Sequence, residues 1–119
     1  MSNLNHSFRI AEQSGQWGFF CEVTLQISPL SKHELQILCE SAEWKAAVEF
    51  GLQYAWEHIG AETRQGIAVR VLELHTHPVD SSVSVVAYAS ARCLMEAVGF
   101  TGVTAPTFQK EEARFCFAK

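Results

Sequence analysis

The junction His77-Pro78-Val79-Asp80-Ser81-Ser82 constrains the fold of this chain most, because it separates two segments of different periodicity. Residues 67–77 read as an alternating strand, whereas residues 83–98 repeat apolar side chains at helical spacing. Pro78 disfavours helical geometry at the residue before it, so the strand ends there. Asp80, the only aspartate, is placed to accept a hydrogen bond from the first helical turn, and Ser81 offers a further acceptor. We therefore predict a strand, a tight turn, and a helix capped by Asp80 and Ser81.

The remaining segments predict an α+β domain. Residues 8–12 and 19–27 alternate on either side of the turn signal Ser14-Gly15-Gln16, which indicates a β-hairpin. Residues 41–59 predict a first helix capped by Ser41, while residues 35–39 and 113–117 predict two short strands. The chain has 119 residues, is 48% hydrophobic, and contains no repeat or linker, so we expect one domain over residues 1–119.

The net charge indicates which classes of partner the protein would not attract, and the cysteine pattern indicates its redox compartment. A formal net charge of −4 argues against general attraction to nucleic acid or to an anionic membrane surface. The four cysteines are dispersed without a C-x-x-C pair, as is typical of core thiols in a reducing compartment. The sequence shows no secretory signal, no apolar run of the roughly 18 residues that span a bilayer, and no P-loop. We expect a cytoplasmic protein that binds neither membrane nor nucleotide.

His75 and His77 are the candidate binding residues at the end of the predicted strand, because side chains two apart on a strand point to the same face. Their H-x-H spacing suits zinc, but only Asp80 is near as a third ligand, and it is better explained as a helix cap. A catalytic triad of Ser81 or Ser82 with His77 and Asp80 is disfavoured, since triad members usually converge from separate segments. We therefore expect no metal, no cofactor and no catalytic residue.

Gln16 and Trp17 are further candidate binding residues, at the turn of the predicted hairpin. An exposed Trp17 would offer a stacking platform for a nucleic-acid base. Burial of the indole against the core is the stronger interpretation, because large aromatic side chains usually bury.

Several motifs, taken in chain order, resemble domain IV of the translation elongation factor G family. The resemblance covers roughly residues 8 to 99, and its most specific part is the strand-turn-helix junction. The matching pieces are Gln13-Ser14-Gly15, Gln16-Trp17-Gly18 leading to Ser28-Pro29-Leu30, Ala47-Val48-Glu49-Phe50-Gly51, and His77-Pro78-Val79-Asp80-Ser81-Ser82 before an alanine-rich helix.

The resemblance implies the ribosomal protein S5 domain 2-like fold, a two-layer sandwich in which two helices pack on one face of an about four-stranded mixed sheet. In that family the domain points two loops at transfer RNA and messenger RNA in the decoding region. His77 would lie on one loop and Gln16 and Trp17 on the other. The family's first loop is longer, rich in glycine, and carries an arginine, whereas this chain passes directly from Gly15 to Gln16.

A non-enzymatic binding module that contacts the ribosome, RNA or a protein partner through its two-loop end is therefore the leading hypothesis. Because the arginine is missing and the net charge is −4, we expect weak or undetectable binding to free RNA. Two alternatives stay open: a small-molecule enzyme, since this fold also hosts enzymes, and a self-assembling structural module whose edge strands pair two chains. The sequence leaves the oligomeric state open.

Overall fold

A computed structural model of the chain describes residues 4–14, 17–32, 34–59, 66–99, 106–109 and 114–117. These residues form six strands and two helices in an α+β arrangement. In chain order the elements are β1 (Leu4–Ser14), β2 (Trp17–Pro29), β3 (Leu35–Leu38), α1 (Lys45–His58), β4 (Ile67–Thr76), α2 (Val83–Ala97), β5 (Thr107–Gln109) and β6 (Arg114–Cys116).

The main sheet has four strands in the order β1-β2-β4-β3. Strand β2 is antiparallel to both of its neighbours, whereas β3 and β4 are parallel and are connected through α1. A bulge at Leu72 of β4 interrupts the β2–β4 register between Thr24 and Leu25. The predicted mixed sheet with two helices is therefore confirmed.

The alternation of β2 places one row of its side chains in the core. Cys21, Val23 and Leu25 are fully buried, and the intervening side chains are only half-buried. Helix α2 packs against β1 and β2, and α1 packs against α2. The buried row of β2 is the row that the sequence pattern predicted, because a period of two assigns alternate residues to opposite faces.

The helix boundaries differ from the sequence predictions at both N-termini. Helix α1 starts at Lys45, and Ser41 lies before it, where its Oγ accepts a hydrogen bond from the backbone N–H of Trp44 at 3.3 Å. Helix α2 starts at Val83, and Val83 and the C-cap residue Val98 are 64% and 42% exposed because they lie at the two ends of the helix.

The last predicted strand exists, but the main sheet does not include it. Strand β6 pairs with β5 in a separate antiparallel two-stranded sheet. Phe115 anchors this small sheet, because its ring centroid lies 5.6 Å from that of Phe19 and 4.8 Å from that of Tyr88. The small sheet therefore closes one end of the core by contact between aromatic rings.

The two helices lie in close contact at Gly51 of α1. A Cβ atom at this position would overlap the backbone carbonyl oxygen of Ala87 in α2. Gly51 is also fully enclosed by its neighbours, so the clash cannot be relieved toward solvent. The close contact between α1 and α2 therefore depends on the absence of a side chain at position 51.

We expect Gly51→Ala to lower the free energy of unfolding by about 1 to 3 kcal/mol, since the added methyl group overpacks the helix contact. This loss should outweigh the gain of about 1 kcal/mol in helix propensity. Gln53→Ala is the matched control, because Gln53 is exposed on the same helix and its side chain donates to that of Glu57, which is also on the surface of α1. Urea unfolding measures both variants. A Gly51→Ala protein as stable as the parent would contradict the close helix contact.

Candidate functional site

Two distant segments meet at one end of the main sheet, which we call the tip: residues 17–20 at the start of β2 and residues 77–82 between β4 and α2. The backbone N–H of Phe20 donates to the carbonyl oxygen of Asp80 at 3.0 Å. The Ser81 Oγ donates to the carbonyl oxygen of Phe20 at 2.6 Å. The turn before α2 is thus fixed to the strand that follows the hairpin turn.

Ser81 also closes the turn 77–81 on itself. Its Oγ accepts a hydrogen bond from the backbone N–H of His77 at 2.8 Å, and its own N–H donates to the carbonyl oxygen of His77 at 3.1 Å. The hydroxyl group therefore acts as acceptor toward His77 and as donor toward Phe20. A serine or threonine hydroxyl has both capacities, whereas an alanine would leave both backbone groups without this partner.

The side chain of His77 stabilises the same turn from its other side. Its Nδ1 atom accepts hydrogen bonds from the backbone N–H groups of Val79 and Asp80, both at 3.2 Å. Nδ1 therefore carries no proton, so the proton of the neutral ring lies on Nε2. The His77 side chain is about half exposed, at 53%. The tip thus presents a histidine whose orientation and tautomer are set by its own backbone.

Asp80 is not the cap of α2, contrary to the sequence prediction. The N-cap is Ser82, whose backbone is extended and whose Oγ accepts from the N–H of Val85 at 3.4 Å. The reason is that the turn closed by Ser81 includes Asp80 and delays the start of the helix. Ser81 is likewise not a helix cap, because its hydroxyl group is engaged within the turn and with β2.

The carboxylate of Asp80 instead lies over Gly18. A Cβ atom added at Gly18 would lie 2.7 Å from the carboxylate atoms of Asp80. Asp80 Oδ2 is also 3.8 Å from Nδ1 of His77. Gly18 and Asp80 are therefore adjacent in space although they are far apart in the chain. The absence of a side chain at Gly18 leaves room for the carboxylate of Asp80.

The structure separates His75 from His77. His75 lies within β4 on the exposed side, where its Nε2 is 3.0 Å from Oε2 of Glu73, whereas His77 follows the end of the strand. The two imidazoles therefore have different hydrogen-bond partners, and only His75 lies within the strand. Gln16 lies outside the described residues; Trp17 begins β2, but its side chain is not described.

Asp80 supplies the only formal charge among the described residues of the tip. Val79 is 82% exposed beside it, so the outer surface combines an apolar side chain, an imidazole and a carboxylate. Within the described ranges no three His, Cys, Asp or Glu side chains are grouped so as to hold a metal ion. Likewise, no helix in the described part of the chain is long and apolar enough to cross a membrane.

Two of the thiol groups are buried in the core. Burial raises the pKa of the Cys21 thiol and of the Cys93 thiol to about 12 from 9.0. Both thiols therefore stay protonated at neutral pH, and a protonated thiol is a poor nucleophile. Cys93 donates to the carbonyl oxygen of His6 at 3.3 Å, which fits a structural role.

A cavity of about 410 Å³ lies beside β1, away from His77. It is lined by residues 8–12 of β1 together with Tyr88 and Phe108. Burial raises the pKa of the Tyr88 hydroxyl group, and the neighbouring Arg92 offsets part of this effect. Sequence reasoning missed this cavity, because it forms between β1, α2 and β5, which are far apart in the chain.

We expect Ser81→Ala to lower the free energy of unfolding by about 1 to 3 kcal/mol, because it leaves backbone groups of His77 and Phe20 unpaired. Asp80→Ala should cost less, since the backbone bonds of Asp80 persist. Ser84→Ala is the control, because Ser84 is exposed on α2. Denaturant unfolding compares the three variants. A larger loss for Asp80→Ala than for Ser81→Ala would contradict the role assigned to Ser81.

We expect iodoacetamide at about pH 8 to modify Cys39 and Cys116 in the native protein and to spare Cys21 and Cys93. The first two are half-buried, whereas the last two are fully buried and have raised pKa values. Peptide mass mapping before and after denaturation measures the modification. Rapid native alkylation of Cys21 or Cys93 would show that the core opens more readily than its packing indicates.

Comparison with known proteins identifies the fold and leaves the family open. No protein-family profile matches the chain. No curated protein matches it in sequence either. The chain is similar to part of a crystal structure of the protein called ttk003000868 from Thermus thermophilus, with a TM-score of 0.68 and 18% identity over 97% of this chain. The matching region spans only 16% of the Thermus protein. At this level of identity the similarity establishes a common fold alone.

Proposed function

We propose that this chain is a non-enzymatic binding module whose tip contacts the small ribosomal subunit. The resemblance to domain IV of elongation factor G suggests this partner. The observation that carries the proposal is the orientation of His77, whose Nδ1 is engaged with its own turn while Nε2 remains a hydrogen-bond donor for a partner. A donor held in this way loses little side-chain entropy when it binds.

The chemistry of the described residues favours binding over catalysis. A nucleophilic cysteine needs a lowered pKa, whereas the pKa values of Cys21 and Cys93 are raised. The cavity beside β1 is lined by Arg9, Glu12 and Tyr88 but not by His77. Its lining residues include no serine, cysteine or histidine, so they do not supply a nucleophile with an adjacent base. These observations support a module without enzymatic activity.

The charge of the tip indicates how such contact would be made. Asp80 repels phosphate groups, and the described tip residues include no lysine or arginine to attract them. Binding would therefore rely on the shape of the tip, on the exposed Val79, and on the donor of His77. We accordingly expect the affinity to depend only weakly on salt, in contrast to binding dominated by phosphate contacts.

Two variants of His77 test the proposal in co-sedimentation with purified small ribosomal subunits. His77→Asn keeps a side-chain acceptor near Nδ1, as asparagine does in similar turns, but removes the donor at Nε2. His77→Ala removes both. If Nε2 makes the contact, both variants should lose at least about tenfold in affinity, the effect of a lost hydrogen bond in a desolvated interface. Val83→Ala is the control, because Val83 is exposed outside the tip.

The binding and unfolding results for the two His77 variants distinguish a lost contact with the ribosomal subunit from a destabilised turn. Loss of binding in His77→Ala alone would assign the contact to the shape of the turn and would reject the role of Nε2. Parent protein that fails to co-sediment with small subunits at low and moderate salt would reject the ribosomal partner. Unfolding midpoints of both variants show whether a loss of binding reflects a loss of structure.

A further inference from the structure

Strand β1 forms one edge of the main sheet and is long, regular and free of proline. It is 11 residues long, and its register with β2 runs without a bulge from Leu4–Ile27 to Ser14–Trp17. It contains no proline. The opposite edge, β3, has only 4 residues. Long, regular edges are templates for pairing with another strand, and natural proteins usually shorten, kink or cover them.

The contacts at the tip reveal which backbone groups of β1 face outward. The N–H and C=O groups of Phe20 point away from β1, toward Asp80 and Ser81. Both backbone groups of a residue in an antiparallel strand point to the same side, and the side alternates along the strand. The odd-numbered residues of β2 therefore bond to β1, where their partners are even-numbered. The outward groups belong to Asn5, Ser7, Arg9, Ala11 and Gln13.

We propose that two copies of this chain associate by antiparallel pairing of β1 with β1, with Arg9 on the two-fold axis. Only this register pairs all five outward-facing residues, since Asn5 then meets Gln13 and Ser7 meets Ala11. The pairing gives about ten intermolecular hydrogen bonds, a number typical of specific protein interfaces. The described part of the chain contains no strand bonded to this side of β1.

The inward side chains of β1 are complementary in the same register. Phe8 of one copy meets Ile10 of the other, and this pair occurs twice. Cross-strand apolar pairs stabilise a sheet. The two Arg9 side chains approach each other on the opposite face, but each lies across from Glu22 of its own β2, which offsets their repulsion.

The cavity beside β1 can receive the inward side chains of the second copy. It is lined by residues 8–12 of β1 and by Tyr88 and Phe108. Phe8 of the partner copy would lie next to Ile10 while keeping the contact with Tyr88 of its own chain, where the ring centroids are 5.9 Å apart. Burying a phenylalanine side chain in this way favours association, because it removes apolar surface from water. The paired edge and the cavity therefore form one continuous surface.

Sedimentation equilibrium over a wide concentration range tests the proposal with two variants of one residue. Ala11→Pro removes an N–H group that faces away from β2, so the intramolecular hairpin keeps its hydrogen bonds. Ala11→Ser keeps that N–H group and serves as the matched control. The parent and Ala11→Ser should dimerise, and Ala11→Pro should dimerise at least about tenfold more weakly, the effect of losing one or two interface hydrogen bonds. Circular dichroism checks that both variants fold.

Arg9→Cys tests the register. Residues directly opposite each other at a hydrogen-bonded position have Cα atoms about 5.5 Å apart, which a disulfide can span. Mild oxidation should therefore link two copies of Arg9→Cys through position 9. In the same register, residue 10 lies opposite Phe8 of the other copy, so Ile10→Cys should not cross-link efficiently. The parent protein should not cross-link efficiently either.

A parent protein that stays monomeric at millimolar concentration, or an Ala11→Pro variant that dimerises like the parent, would overturn the proposal. Preferential cross-linking of Ile10→Cys would reject the register centred on Arg9. The test is independent of the proposed ribosomal contact, because His77 lies outside this surface, so His77→Ala should dimerise like the parent.

Discussion

The hydroxyl group of Ser81 is the interaction on which the tip depends, because it bonds at once to the backbone of two separate segments. It accepts from His77 within its own turn and donates to Phe20, which lies 61 residues earlier in the chain. These bonds fix where β4 ends relative to the start of β2 and leave Ser82 to begin α2. The same turn sets the orientation of the His77 ring, because Nδ1 of the ring accepts hydrogen bonds from two N–H groups of the turn that Ser81 closes.

The sheet divides the molecule into surfaces with different chemical properties. Its inner face is covered by α1 and α2 and forms a continuous apolar core. The two helices are in close contact at Gly51. The end of the sheet carries the tip, where an imidazole and one carboxylate stand in place of the lysine and arginine side chains expected of a phosphate-binding surface. Its β1 edge offers regular backbone groups beside an apolar cavity. The proposed ribosomal contact and the proposed dimer therefore use separate surfaces of one scaffold.

Both proposals rest on groups that the fold holds in place. At the tip, the turn fixes the tautomer of His77, so a partner meets a donor whose direction is already set. At the edge, pairing with β2 holds β1 extended, so a second copy meets an ordered row of donors and acceptors. In each case the intramolecular fold supplies the ordering that binding would otherwise require, and this lowers the entropic cost of association.

The sequence by itself determined the elements whose signals are local. The alternation of residues 19–27 fixed the buried face of β2, and the helical spacing of residues 83–98 located α2, because both periodicities follow from backbone geometry. Tertiary structure decided the cap and the candidate site. Asp80 satisfies the local rule for a cap, but the bond from Ser81 to Phe20 keeps Asp80 within the turn and assigns the cap to Ser82. Likewise, the pairing of β6 with β5 and the cavity beside β1 depend on contacts between segments far apart in sequence, which no local pattern encodes.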